Sequence, residues 1–242
     1  MRPLDSQARG RARARLGLQQ RPGLLALRHA LENDRPGLWV DDPTAPRAIV
    51  LLREGDDGLD AFGAGDPIAA VSWLRGLGRP VALHGPDSWG AALGGGHRAE
   101  VQTWSEPSAI RPPSSPTTRP LDPGDASAFR GLAPSWALRG WGTFENLIQC
   151  SNVFGVDGPD GLAAAAWGFD RAGGYESVGV WVDPRYRRLG LGRRAASAMV
   201  ARIAGDGRSP TWSVAPGNAA SVGLARSLGF RHREIEGVWR RG

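Results

Sequence analysis

The sequence predicts a mixed α/β protein in two parts, and three observations carry that prediction. Short apolar runs with strand alternation recur between stretches of helical spacing along the whole chain. Ser105 to Pro123 holds Pro107, Pro112, Pro113, Pro116, Pro120 and Pro123 among serines and threonines, which is the composition of an extended, semi-rigid linker. Tyr175 to Val200 passes from strand through a tight loop into a helix, with chemistry concentrated at the turn. The resulting bounds are a basic N-terminal arm over 1–16, a smaller N-terminal α/β domain over 17–104, a Pro-rich linker over 105–117 and a second α/β domain over 118–242.

Composition narrows the classes. A chain of 242 residues, 41% of them hydrophobic, can bury a sizeable core. No apolar run approaches the ~20 residues of a membrane span, and the arginines at the N-terminus are not followed by an apolar signal core. A cytoplasmic location without membrane association is expected. The single cysteine, Cys150, excludes an internal disulfide, and the four histidines, His29, His84, His97 and His232, have no metal-ligand spacing. The net charge of +6 rests on arginine alone, since the chain contains no lysine. That reads as a bias of the whole sequence rather than a nucleic-acid signature. The cluster Arg9, Arg11, Arg13 and Arg15 is sharper, but no aromatic residue interleaves it, so a solvated terminus is the expectation ahead of nucleic-acid binding.

In chain order, Leu24, Leu25, Leu27, Ala30 and Leu31 predict an amphipathic helix that stops near Asp34 to Gly37. Leu38 to Val40, Ala48 to Leu52 and Leu59 to Phe62 read as strands separated by turn residues. Pro67 to Leu77 is a helix with proline in its first turn, Val81 to Leu83 a strand, Ser88 to Leu93 a short helix and Val101 to Trp104 a strand. No chemical motif stands out here, and His84, Asp87 and Trp89 are read as structural. After the linker, Asp125 is placed to cap a helix over Ala126 to Leu132, and Phe144 to Gln149 ends a second helix. Asn152 to Val156 and Leu162 to Phe169 pair around the turn Asp157 to Gly161.

Next comes the segment around which the rest is organised. Val178, Val180 and Val182 alternate with Ser177, Gly179 and Trp181 as a strand should, and Pro184 ends the strand because it cannot donate to a ladder. Ala195 with Met199, and Ala196 with Val200, fall at helical spacing. Between them, Gly190 and Gly192 remove two Cβ atoms where the backbone enters the helix, so its free N–H groups can approach a ligand. Such a helix start attracts anions, and Arg187, Arg188, Arg193 and Arg194 add positive charge around it. Thr211 to Val214 is the following strand, Ala219 to Leu228 a helix stopped by Gly229, and His232 to Arg240 a last strand.

Three phosphate-binding patterns compete for this loop. A Walker loop needs a lysine after its second glycine, and there is none. Gly190-x-Gly192-x-x-Ala195 fits the dinucleotide fingerprint, but there the first glycine follows the strand almost at once and an acid sits ~20 residues on, after the next strand. Here Val182 is well separated from Gly190, and Asp206 lies in a turn before the next strand.

The third pattern is a resemblance. Arg187-x-x-Gly190-x-Gly192 after the strand end Val182-Asp183-Pro184 resembles the pyrophosphate loop of the GNAT superfamily of acyl-CoA-dependent N-acyltransferases. Asn218-Ala-Ala-Ser221-Val-Gly-Leu224, running on to Gly229-Phe230, resembles that family's later Asn-led helix, one strand further on. The resemblance covers about residues 117–238 and implies a mixed sheet flanked by helices. A repeated pentapeptide, Gly37 to Asp41 against Gly179 to Asp183, points to a degenerate GNAT-like first half.

What the resemblance implies for chemistry can be placed residue by residue. Acetyl-CoA is the expected acyl donor. Its pyrophosphate is expected on Arg187, Arg188, Leu189, Gly190, Leu191, Gly192 and Arg193, mostly through main chain, and its pantetheine arm on Asn218 and the backbone of Val180, Trp181 and Val182, whose N–H groups would polarise the thioester. Asn218 is equally a good helix cap. Glu176 is the expected general base, because an aliphatic amine arrives protonated, and the alternative is a solvated strand-end carboxylate. Many family members carry a tyrosine general acid where this chain has Ala225, but a thiol of pKa near ~8.5 leaves without much help. The function implied is direct acetyl transfer to a primary amine of a small molecule or peptide, with the N-terminal half shaping the acceptor site or a homodimer contact. The alternatives are an acyl-CoA-binding sensor that has lost catalysis and a basic nucleic-acid-binding protein.

Overall fold

The computed structural model describes residues 1–15, 24–55, 58–94, 96–105 and 118–241, so most of the predicted linker lies outside the described residues. The chain divides into two compact units, Met1–Gln102 with Glu234–Gly242, and Thr103–Arg233.

The first half of the chain runs β1 (Arg2–Pro3), α1 (Ser6–Arg15), α2 (Leu25–Glu32), β2 (Leu38–Val40), β3 (Ala48–Glu54), β4 (Leu59–Gly65), α3 (Ile68–Arg75), β5 (Val81–Gly85), α4 (Asp87–Leu93) and β6 (His97–Ser105). Strands β1 to β4 pair antiparallel in sequence order, and β4 pairs with β5 in parallel, with α3 as the crossover. Alternation sorts the side chains by face. Ile49 and Leu51 face α1 and α2, whereas Ala48 and Val50 face α3 and α4.

The second half of the chain repeats that element order: β7 (Thr118–Pro120), α5 (Ala126–Leu132), α6 (Phe144–Cys150), β8 (Val153–Gly158), β9 (Gly161–Ala172), β10 (Tyr175–Val182), α7 (Leu191–Gly205), β11 (Ser209–Val214), α8 (Ala219–Ser227) and β12 (Arg231–Arg241). Again the first four strands pair antiparallel and the fourth pairs with the fifth in parallel, here β10 with β11. One sheet face packs Ala164, Ala166 and Val178 against Ala195, Ala196 and Met199 of α7. The other packs Ala165 and Trp167 against Phe129 and Phe144 of α5 and α6.

Four sequence expectations change. The C-terminal strand does not finish the second unit, because β12 pairs antiparallel with β5, Gly237 opposite Gly85 and Arg241 opposite Val81. It thereby satisfies backbone groups that would otherwise be left on an open edge. Residues 1–15, the described part of the expected 1–16 arm, are not a loose arm. Ala8 and Ala12, one turn apart, are fully buried, while Arg9 donates to the Ala30 and Arg35 carbonyls at 2.9 and 3.0 Å and Arg13 donates to the Leu31 carbonyl at 3.0 Å. Those arginines therefore cap carbonyls at the C-terminal end of α2. The pentapeptide echo was a chance match, since Gly37 to Asp41 lies on β2 and the topological counterpart of β10 is β4. The duplication it pointed to is nonetheless present in the order of elements. Finally, the cap before α5 is Asp122, which accepts from Gly124 N at 2.7 Å, while the Asp125 carboxylate takes a two-pronged contact from Arg119 at 2.8 Å on each prong.

Candidate functional site: a cleft where two parallel strands part

In the second unit β10 and β11 are paired only from Tyr175 to Ser177, opposite Ser209 to Thr211. Beyond Ser177 the strands separate, and β10 keeps a partner only on its β9 side, where Val178 to Val182 pair with Gly168 to Ala164. Alternate backbone groups on the free edge of β10 therefore face a gap rather than a strand, and buried groups of that kind require partners. The gap is a cleft of about 820 Å³ that begins at Ser177 and Val178 and ends at the start of α7.

The phosphate-loop expectation can be located atom by atom. Asp183 caps a short 3-10 turn, Pro184 to Tyr186, by accepting from Arg185 N at 2.9 Å. The chain then passes through two left-handed residues, Arg188 at φ 67° and Gly190 at φ 78°, before α7 starts. A non-glycine residue in this region is uncommon and signals a backbone held for a purpose or by its surroundings. Gly192, in the first turn, is buried, and a Cβ there would come within 2.9 Å of Val182 Cγ2. The glycine thus lets the helix start lie close against β10. No side chain caps α7 and no acid occupies its first turn, so its leading N–H groups keep their positive dipole end open. Among the described residues Arg188, Arg193 and Arg194 have no carboxylate partner within 4.0 Å. The residues present fit a phosphorylated ligand.

Ten of the expected binding residues meet on this cleft: Val180, Trp181, Val182, Arg187, Arg188, Gly190, Leu191, Gly192, Arg193 and Asn218. Leu189 does not, being 61% exposed at the tip of the loop. Asn218 combines the two roles open to it. Its Oδ1 accepts from Ser221 N at 3.1 Å as the cap of α8, and the residue also lines the cleft, which leaves the Nδ2 hydrogens to donate. Tyr186 lines the cleft too, but its hydroxyl donates to Asp160 Oδ2 at 2.7 Å, and that bond holds its pKa above the ordinary phenol value.

Glu176 is not brought to the cleft. It is 0% exposed, its Oε1 accepts from Ser151 Oγ, and its Oε2 lies 3.2 Å from Arg171 Nε without the alignment of a hydrogen bond. It sits where β10 and β11 are still paired, beside a bulge between Glu176 and Val178. Burial pushes its carboxyl above the usual carboxylate range, outweighing the Ser151 hydrogen bond and the Arg171 charge. Neither expectation for this residue, a base facing the thioester or a solvated carboxylate, matches that position. Ala225, at the position where the resemblance places a tyrosine in many family members, is fully buried in the core with α7.

Several cleft residues carry no ligand role in the sequence reading, and Trp136 and Phe169 are two aromatic ones among them. Trp136 comes from the 3-10 turn Ser135–Leu138, and Phe169 shares a face of β9 with Trp167. The alternation of Trp167 with Phe169 was a readable hint; Trp136 carried none, because its position depends on a turn between two helices.

The same place in the first unit is closed. β4 and β5 pair from Leu59 to Phe62, β5 ends at Gly85, and the Trp89 ring packs against β4 just beyond the last pair, at Gly63. Its indole donates to the Gly65 carbonyl at 3.1 Å, and a Cβ on Gly63 would lie 2.4 Å from its ring. Only Asp66 and Pro67 separate β4 from α3, and Asp66 Oδ1 already accepts from Ile68 N at 3.0 Å at the helix start. A carboxylate there does for α3 what an external anion would do for α7. His84, half-buried in β5, stacks on Phe62 at 4.5 Å and lies 3.6 Å from Asp60, a local packing role. Among the described residues no helix is long and apolar enough to cross a membrane, and no group of His, Cys, Asp and Glu is placed to hold a metal ion.

Comparison with known proteins agrees with this geometry. The model of the FR47-like protein family matches residues 154–239. No curated protein sequence matches the chain. Among solved structures, a GCN5-related N-acetyltransferase-like protein from Streptococcus suis superposes with a TM-score of 0.72 at 15% identity, covering 98% of this chain and 99% of its own. A tandem GNAT protein from the clavulanic acid biosynthesis pathway gives 0.68 at 15% identity over 99% and 97%. A GNAT-family acetyltransferase from Colwellia psychrerythraea gives 0.65 at 14% identity over 100% and 99%. The second half of this chain is therefore a GNAT-fold domain, FR47-like in sequence over residues 154–239, preceded by a first half of the same fold in which Asp66 and Trp89 occupy the corresponding helix start and strand end.

Proposed function

We propose that the chain is a cytoplasmic N-acyltransferase that moves an acetyl group from acetyl-CoA directly to a primary amine. The observation that carries this reading is the parting of β10 from β11 over a cleft that leads to the uncapped start of α7. The α7 N–H groups, with Arg188 and Arg193 beside them, hold the donor's pyrophosphate. The free backbone edge of β10 and the Asn218 amide take the pantetheine arm, and that edge supplies fixed donors to the thioester carbonyl. When bound, the donor supplies an activated acyl group. The protein orients it, excludes water and leaves room on the far side of the sheet for the acceptor nitrogen.

A second reading, an acyl-CoA-binding sensor, is favoured by one observation. The described residues that line the cleft include no aspartate, glutamate or histidine. CoA release by the purified chain from acetyl-CoA, measured with pooled amines and peptides, separates the two. Release that depends on an amine supports the transferase. Tight acetyl-CoA binding with no release to any acceptor favours the sensor.

A further inference from the structure

The cleft opens on both faces of the β9–β10 sheet. On the α7 face it ends in glycines and arginines; on the other it ends against Trp136, Phe169 and Trp181. Trp136 stands edge-on to both partners, with ring centroids 5.8 Å from Phe169 and 6.4 Å from Trp181. Three aromatic surfaces thus meet where an acceptor would lie. Ser177 Oγ, beside them, accepts from Asp170 N at 2.9 Å.

Among the described residues, the titratable groups lining the whole cleft are Tyr186, Arg187, Arg188 and Arg193, and of these Arg187 reaches the aromatic end. The Arg187 guanidinium lies over the Trp181 ring, 5.4 Å from its centroid, and so occupies the face that a cationic amine would otherwise seek. Asp170 and Glu176, the nearby carboxylates on β9 and β10, are buried and do not line the cleft. An alkylammonium entering here meets the Arg187 guanidinium and, among the described lining residues, no carboxylate or imidazole. With a pKa near ~10, it is neutral in only about one molecule in a thousand at pH 7.

Resting on the acetyl-transfer reading above, we propose that the acceptor is an aromatic amine, with the nitrogen borne directly on a flat ring. Such a nitrogen shares its lone pair with the ring and is neutral at pH 7, so the cleft need not deprotonate it, and the ring itself packs among Trp136, Phe169 and Trp181. Its lone pair forms the new N–C bond to the thioester carbonyl carbon while the C–S bond breaks. The electron pair of that bond leaves on sulfur, and the proton released by nitrogen goes to the departing thiolate. The products are an N-aryl acetamide and CoA thiol, with no further reactant. The missing base, the buried Ala225 and the aromatic wall then have one explanation. Trp136 is the residue that selects this class.

The test uses the full chain, acetyl-CoA, and aniline and benzylamine as matched acceptors, following CoA release with a thiol probe and donor binding by calorimetry. The expected result is a kcat/KM at pH 7 at least tenfold higher for aniline. It should stay nearly level from pH 6 to 9, while that for benzylamine climbs about tenfold per pH unit with its neutral fraction. Trp136→Ala should raise the aniline KM several-fold and leave acetyl-CoA affinity alone, and Trp136→Phe should restore most of the loss. Benzylamine as the equal or better acceptor at pH 7 would overturn the inference and leave the transferase reading standing. Acetyl-CoA binding with no transfer to aniline would also overturn it, with the donor site intact. Failure to bind acetyl-CoA would remove both.

Discussion

Replacing Gly190 with aspartate should put a carboxylate at the start of α7, as α3 already has one at its own start. Gly190 stands directly before an uncapped helix, whereas in the first unit Asp66, one residue before the cap position Pro67, accepts from Ile68 N. Nothing lies within 4 Å of a Cβ built on Gly190, so the change is not a steric one. Its backbone cost is that of a side chain at φ 78°, roughly 1–2 kcal/mol or less, since aspartate and asparagine tolerate this region better than most residues. The effect on a phosphorylated ligand is larger. A carboxylate about 5 Å from one phosphate charge costs about 1–3 kcal/mol at effective dielectrics between water and a protein surface, which is roughly ten- to a hundredfold in affinity. The new side chain also competes for the N–H groups the ligand needs. CoA at about 100 times the wild-type Kd should stabilise the wild type by about 2.7 kcal/mol, and a hundredfold weaker variant by only about 0.4 kcal/mol. Thermal unfolding with and without CoA reads this directly. Gly190→Asn has the same backbone cost without the charge and should keep most of the shift. A Gly190→Asp protein that shifts with CoA as wild type does would refute the placement of the phosphate site.

Two more outcomes follow from groups that the sequence read differently. Glu176→Gln should leave turnover within about twofold of wild type, because the carboxylate lies outside the cleft. Its effect should appear in stability against pH. The folded-state pKa of Glu176 is raised, so the folded protein holds this proton after the unfolded chain has lost it, and wild-type stability falls as pH rises from the ordinary carboxylate value through the raised one. The glutamine variant has no such fall, so denaturation at several pH values should show it gaining on wild type toward neutral pH. A rate loss of 10²-fold or more with the acidic limb of the pH profile removed would instead restore Glu176 as the base. Arg9→Ala deletes two hydrogen bonds to carbonyls around the end of α2 and should destabilise the chain by about 2–4 kcal/mol in urea, with unchanged CoA binding. Wild-type stability in that variant, together with loss of salt-dependent nucleic-acid binding shown by the parent, would return the basic N-terminus to a recognition role.

How far the sequence could be read depended on how local each feature is. The β10 strand, the glycine turn and α7 were legible because valine alternation, Pro184 and Gly190-x-Gly192 act within a few residues of one another. Asn218 was legible for the same reason, as a cap three residues before the N–H it accepts from. Glu176 was misplaced because its surroundings come from Ser151, Arg171 and the short paired part of β10 and β11, none of which is adjacent in sequence. The role of Arg9 and Arg13 was hidden because their partners are backbone carbonyls, which leave no mark in a sequence. The first half showed no motif because its gap is filled by a single tryptophan and its helix start by a single aspartate. Either residue alone looks like ordinary loop or helix composition. β12 read as the last strand of the domain that precedes it, and only its pairing with β5 assigns it to the other unit.

The central claim is that two copies of one fold hold one working donor site, open in the second half and filled in the first. Calorimetric titration of the full chain with acetyl-CoA tests it most directly. The expected stoichiometry is one acetyl-CoA per chain, abolished by Gly190→Asp. Two bound molecules would show that Trp89 and Asp66 do not close the first half, and none would show that the α7 start is not a donor site.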